Sequence, residues 1–140
     1  MSDFRLALPV RQAVAAAIAA RVDAGGGPAH IAIYSGPIPA GPAATPTGAV
    51  LLAELVMAMP AFGAPDANAL ISANPILADS TADATGTASF FRILDGAGIV
   101  LFQGDVSLAG NGGDLELPTL SIAAGITVAI DSLTLSVPEL

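Results

Sequence analysis

Apolar positions along the chain change their period once, and that change divides it. Val10, Val14, Ile18 and Val22 recur every four residues, which predicts one apolar stripe along a helix of about residues 9–24. Pro9 suits its first turn, where the missing N–H costs nothing. The intervening alanines are the strongest helix formers, and Gly25, Gly26 and Gly27 stop the helix. Beyond Pro28 the period shortens towards two. His30–Tyr34 alternates and is β-branched, so it reads as a strand. Ser35–Gly48 contains Pro37, Pro39, Pro42 and Pro46 and has no period, so it reads as a loop. Val50–Met59 fits helix or strand. Strand is preferred, because Pro60 and Gly63 close it and the next segment, Ala69–Ala73, is also β-like.

The second half predicts more strands. Asp79–Gly86 is a polar turn segment. Thr87–Leu94 reads as a strand with Ser89, Phe91 and Ile93 on one face and Phe90, Arg92 and Leu94 on the other. Asp95-Gly96 with Gly98 is a hairpin signal, and Ile99–Val106 is its partner. Gly110–Asp114 forms another turn. In Ile126–Val137 the alternation Ile126, Val128, Ile130 is followed by Leu133, Leu135, Val137 in the opposite phase. A regular strand cannot keep both sets on one face, so a β-bulge near Asp131-Ser132 is expected. A similar slip around Pro118 suits an edge or a bend. The whole reads as a single domain, residues 1–140, mainly β: an antiparallel sandwich or barrel-like domain over about 29–138 with one N-terminal helix.

Composition then restricts function. The chain has 140 residues, is 54% hydrophobic and only 11% charged, with four Lys+Arg against twelve Asp+Glu, a formal net charge of −8. The four cations are Arg5, Arg11, Arg21 and Arg92, and lysine is absent. Such a surface is unsuited to nucleic-acid phosphates, so no nucleic-acid partner is expected. Without cysteine, disulfides, thiolate metal sites and Cys nucleophiles are ruled out. The high hydropathy does not indicate a membrane span. The longest charge-free stretch, Ala24–Ala53, is interrupted throughout by Gly and Pro, and Leu117–Ile130 is short and holds Pro118 and Gly125. Asp3, Arg11 and Arg21 make the beginning a poor secretion signal, so a soluble protein is expected.

Candidate chemistry is sparse. His30, the sole histidine, sits at a strand start without the context of a nucleophile elbow, so a structural histidine is the simpler reading. One histidine and no cysteine make zinc improbable. Asp79 and Asp83 lie in a loop, but their spacing to Gly86 does not fit a calcium loop. Carboxylate pairs for glycoside hydrolysis usually work beside aromatic platforms, and the chain has no Trp and one Tyr. Gly25–Gly27 follows a helix instead of opening one, so it is a cap and not a phosphate loop. Phe90-Phe91 before Arg92 reads as core phenylalanine beside an exposed or ion-paired arginine. No catalytic, metal or cofactor residues are assigned.

Several segments together resemble small structural proteins of tailed bacteriophages and prophages. They are the alanine-rich helix ending D-A-G-G-G (Asp23–Gly27), H-I-A-I-Y-S-G-P-I-P (His30–Pro39) and P-A-F-G-A-P (Pro60–Pro65). Two more are A-D-A-T-G-T-A-S-F-F-R-I-L-D (Ala82–Asp95) and T-L-S-I-A-A-G-I-T-V (Thr119–Val128). The resemblance covers most of the chain. It implies a non-enzymatic virion protein, a minor capsid or decoration (cement) protein made in the host cytoplasm and sited on the capsid surface. Its partners would be the major capsid protein or other virion proteins, and it would be a homo-oligomer. The alternatives are a tail or fibre module that binds the host surface, and a virion-borne hydrolase. Interface candidates are Val10, Val14, Ile18 and Val22 on the helix, with core packing as the competing reading, and Pro37, Pro39 and Pro42 in an extended arm able to lie on a neighbour.

Overall fold

A computed structural model of the chain describes residues 3–137. The expected end of the β domain at 138 lies outside the described residues. Helix α1 runs Leu8–Val22, with Pro9 in its first turn, and continues into a 3₁₀ turn, Asp23–Gly25. Gly26 follows in the left-handed region at φ 86°, as a helix stop requires. Among the described residues nine strands follow: β1 (His30–Ser35), β2 (Val50–Val56), β3 (Leu70–Ser72), β4 (Gly86–Thr87), β5 (Phe90–Leu94), β6 (Val100–Leu108), β7 (Leu115–Leu117), β8 (Ser121–Ile122) and β9 (Ser132–Ser136). Seven form one sheet in the order β2-β1-β5-β6-β7-β9-β3, and β4 pairs with β8. The fold is mainly β with one N-terminal helix, and the sheet does not close into a barrel.

Three sequence expectations are corrected. First, the pairing is not wholly antiparallel: β6 and β7 run parallel, with Val106 opposite Leu115 and Leu108 opposite Leu117. Parallel neighbours ordinarily need a crossover of a dozen or more residues. Here the chain doubles back within residues 109–114, where the Gly113 amide donates to Ser107 Oγ (2.9 Å) and the Asp114 amide to Asp105 Oδ1 (3.2 Å). Second, Thr87–Leu94 is two strands. Ala88 turns its amide to the Leu120 carbonyl while Ser89 bonds Tyr34, so the segment changes partner between them. Third, Ile126–Val137 is not one bulged strand. Val128 makes only an isolated bridge to Asp79, whereas Ser132–Ser136 forms β9 against β7 and β3. The phase reversal is absorbed by a change of partner at Ala129–Asp131. Bulges occur elsewhere, between Ile33 and Tyr34 and between Ile93 and Leu94.

One face of the sheet carries the main core. Ile31 and Ile33 stand opposite Ile93 and Phe91, and Leu52, Leu55, Ile71, Leu115, Leu117 and Leu133 complete it. Helix α1 packs onto this core through Ala15 and Val22. The expected stripe is therefore corrected as well. Val22 is fully buried and Ile18 partly so, but Val10 and Val14 are 47% and 38% exposed. Each four-residue step overshoots a helical turn by about 40°. Over three steps the row drifts from the core side to the outside.

Candidate interaction surface

His30 opens β1, half exposed, with Nδ1 3.0 Å from Glu54 Oε1 on β2 but oriented so that no hydrogen bond forms. Asp79 is a turn-forming residue: its carboxylate accepts from the Glu54 and Thr81 amides. Among the described residues no group of three His, Cys, Asp or Glu could hold a metal ion. No described helix is long and apolar enough to cross a membrane.

Two carboxylates missed as important by sequence reasoning organise turns. Asp95, 2% exposed, accepts from the Ala97 and Ile99 amides at 3.0 Å each and from Arg21 Nη1 at 2.9 Å. The Ile99 amide, then Arg21 and Ala97, hold its pKa below the ordinary value against the opposing effect of burial. This joins α1 to the β5–β6 hairpin. The backbones touch there: a Cβ on Gly25 would lie 2.5 Å from the Gly96 nitrogen, and one on Gly96 would lie 2.6 Å from the Gly27 oxygen. The glycine run that stops the helix and the Asp-Gly hairpin are thus two halves of one clasp. Glu116 has its pKa lowered by amides of Gly112 and Gly110 and by the Ser132 hydroxyl. Asp114 is shifted upward, by burial first and by Asp105 beside it second.

The second face of the sheet holds the other surprise. Arg92 is only 4% exposed, against the expectation of an exposed or ion-paired side chain. Its Nε donates to Gln103 Oε1 (3.3 Å), and its Nη2 donates to the carbonyls of Gly41 (3.2 Å) and Ala44. Gln103 Nε2 donates to the Pro39 carbonyl at 2.8 Å. These bonds fold the proline-rich loop back over its own sheet, beside Tyr34 and Phe90, whose rings stack at 4.9 Å. The loop is therefore no free arm. Pro37 and Pro42 remain exposed, Pro39 is partly covered, and Ile38 is 52% exposed. The signal that could have revealed this is an arginine at a strand centre, set within the otherwise apolar run Phe90–Leu94.

The outward face of α1 is the largest surprise in exposure. Pro9, Val10, Ala13, Val14, Ala16, Ala17 and Ala20 all face solvent, with Arg21 the one charged side chain of the helix exposed beside them. Beside the helix, an apolar groove of about 410 Å³ is lined by Ile18, Arg21, Leu101, Phe102, Leu135 and Ser136. It lies where β7 is too short to fill the space between β6 and β9. Of the helix candidates, the structure places Val22 in the core and Ile18 in the groove wall, and leaves Val10 and Val14 outside. No protein-family model matches the chain, and no curated protein or solved structure matches it.

Proposed function

We propose that this protein is a non-catalytic structural component of a tailed-phage particle, a minor capsid or decoration protein that binds neighbouring virion proteins on the shell. The observation that carries this reading is the exposed face of α1. A surface helix ordinarily turns charged and polar side chains to solvent. This one buries Ala15 and Val22 internally and presents Val10, Val14 and alanines outward. A neighbouring protein that covers this face removes the mismatch by burying apolar area. The resemblance of Ile33–Pro39 and Ala82–Asp95 to phage structural proteins supplies the class of assembly. A net charge of −8 supports a position away from packaged DNA.

The test is to purify particles of the phage or induced prophage that encodes this chain. Mass spectrometry of the particles and cryo-electron microscopy of the heads are expected to find the protein in many copies on the shell, and Val14→Glu to reduce its retention. Absence from the particle, or presence only in the tail, overturns the proposal.

A further inference from the structure

We propose that the segment between Gly36 and Gly48 is a hinged strap, latched over the second face of the sheet by Arg92 and Gln103 and able to open while the sheet stays folded. The hinges are visible. Gly36 and Gly48 both lie in the left-handed region, at φ 91° and 74°, and pinch together: a Cβ on Gly36 would lie 2.6 Å from the Gly48 oxygen. The prolines between them restrict bending, so the segment moves as a unit about this neck.

The latch is also visible. Apart from the Ser89 hydroxyl on the Gly36 carbonyl at the neck (2.7 Å), the strap is tied to the sheet by carbonyls 39, 41 and 44, all bonded to Arg92 or Gln103. Arg92 makes this latch balanced and not permanent. A buried guanidinium ordinarily has a carboxylate partner. The partners of Arg92 are one amide oxygen and two backbone carbonyls, all neutral. Opening breaks those bonds and uncovers the Tyr34–Phe90 stack but returns the charge to water, so the last change offsets part of the cost of the first two and opening is easier than unfolding the sheet. The open state presents the guanidinium beside the Tyr34–Phe90 stack, a surface that the closed state hides. This inference concerns the chain alone and does not depend on the proposed particle.

Arginine modification reads the latch directly. The whole protein is treated with phenylglyoxal across low urea concentrations, and the rate at each arginine is followed by peptide mass spectrometry. Arg21, 48% exposed, serves as the accessible control. Arg92 is expected to react more slowly than Arg21, at a rate that rises with urea less steeply than global unfolding does, because opening the strap exposes only part of the buried surface. In Gln103→Ala the Arg92 rate is expected to rise by up to about tenfold, the equivalent of one lost hydrogen bond, while Arg21 stays unchanged. If Arg92 reacts with the same urea dependence as global unfolding, the strap does not open separately and the proposal fails. That result can be read in the wild type even if Gln103→Ala does not fold. An unchanged Arg92 rate in a folded Gln103→Ala variant also overturns it.

Discussion

At the scale of single residues, two aspartates respond to acid in opposite directions. Asp95 has its pKa lowered in the folded chain by the Ile99 amide, Arg21 and the Ala97 amide. Its contribution is present above the unfolded value of about 3.9 and is lost as pH falls through the lower folded value. Asp114 is raised by burial and by Asp105. Its contribution is present below the unfolded value and is lost as pH rises through the folded one. Asp95→Asn is therefore expected to lower the urea midpoint at pH 7, with the gap to wild type closing in acid. Asp114→Asn is expected to raise the midpoint at pH 7 and to converge with wild type in acid. Urea titrations between pH 3 and pH 7 check both, and a gap for Asp95→Asn that widens in acid contradicts the assignment. Neither role was legible beforehand. Asp95 was visible as a hairpin residue, but its arginine partner is 74 positions away, a distance no local pattern spans.

At the scale of elements, α1 shows what periodicity conveys and what it leaves open. Its existence and limits follow from local chemistry: Pro9 at the start, alanines within, and glycine in the left-handed region after the stop. Its buried face does not. Ala15 lies at 1% exposure while the larger Val10 and Val14 face out, because close approach to the sheet favours the small side chain. Val22→Ala is expected to cost roughly 2 kcal/mol, two buried methyl groups plus the space they leave. Val10→Ser and Val14→Ser in the isolated protein are expected to stay within about 0.5 kcal/mol. Chemical denaturation of the three variants separates the faces, and equal losses would mean that the stripe is buried throughout. The break in Ile126–Val137 teaches the same lesson. The phase reversal was legible, but a bulge and a change of partner both satisfy it, and only the positions of Asp79 and β7 select the second.

At the scale of the whole molecule, the glycine clasp fastens the helix to the sheet. Gly25 and Gly96 meet at backbone distance, whereas a Cβ on Gly27 would touch nothing within 4 Å. Gly25→Ala and Gly96→Ala are accordingly expected to destabilise by about 1–3 kcal/mol, the usual cost of inserting atoms into a filled contact. Gly27→Ala is expected to be near neutral, within about 0.5 kcal/mol. Thermal unfolding of the three variants tests the ordering. The strap and the exposed helix face belong to this scale too, since each is defined by what the rest of the molecule covers or leaves uncovered. The proline loop was legible as stiff and irregular. Its docking on the sheet was not, because carbonyls of residues 39, 41 and 44 have no sequence signature and their donors lie at 92 and 103.

By itself the sequence determined the class of the fold, the helix and its ends, the β5–β6 hairpin and most strand positions. These depend on backbone preferences and side-chain periods within a few residues of one another. Only the tertiary structure decided which side of the helix is buried, that β6 and β7 run parallel, that two predicted strands divide between partners, and that Arg92 is enclosed. Each of these depends on which distant segment supplies the covering surface or the hydrogen-bond partner. That choice is made by burial and polar satisfaction across the whole chain, and no local window of residues contains it.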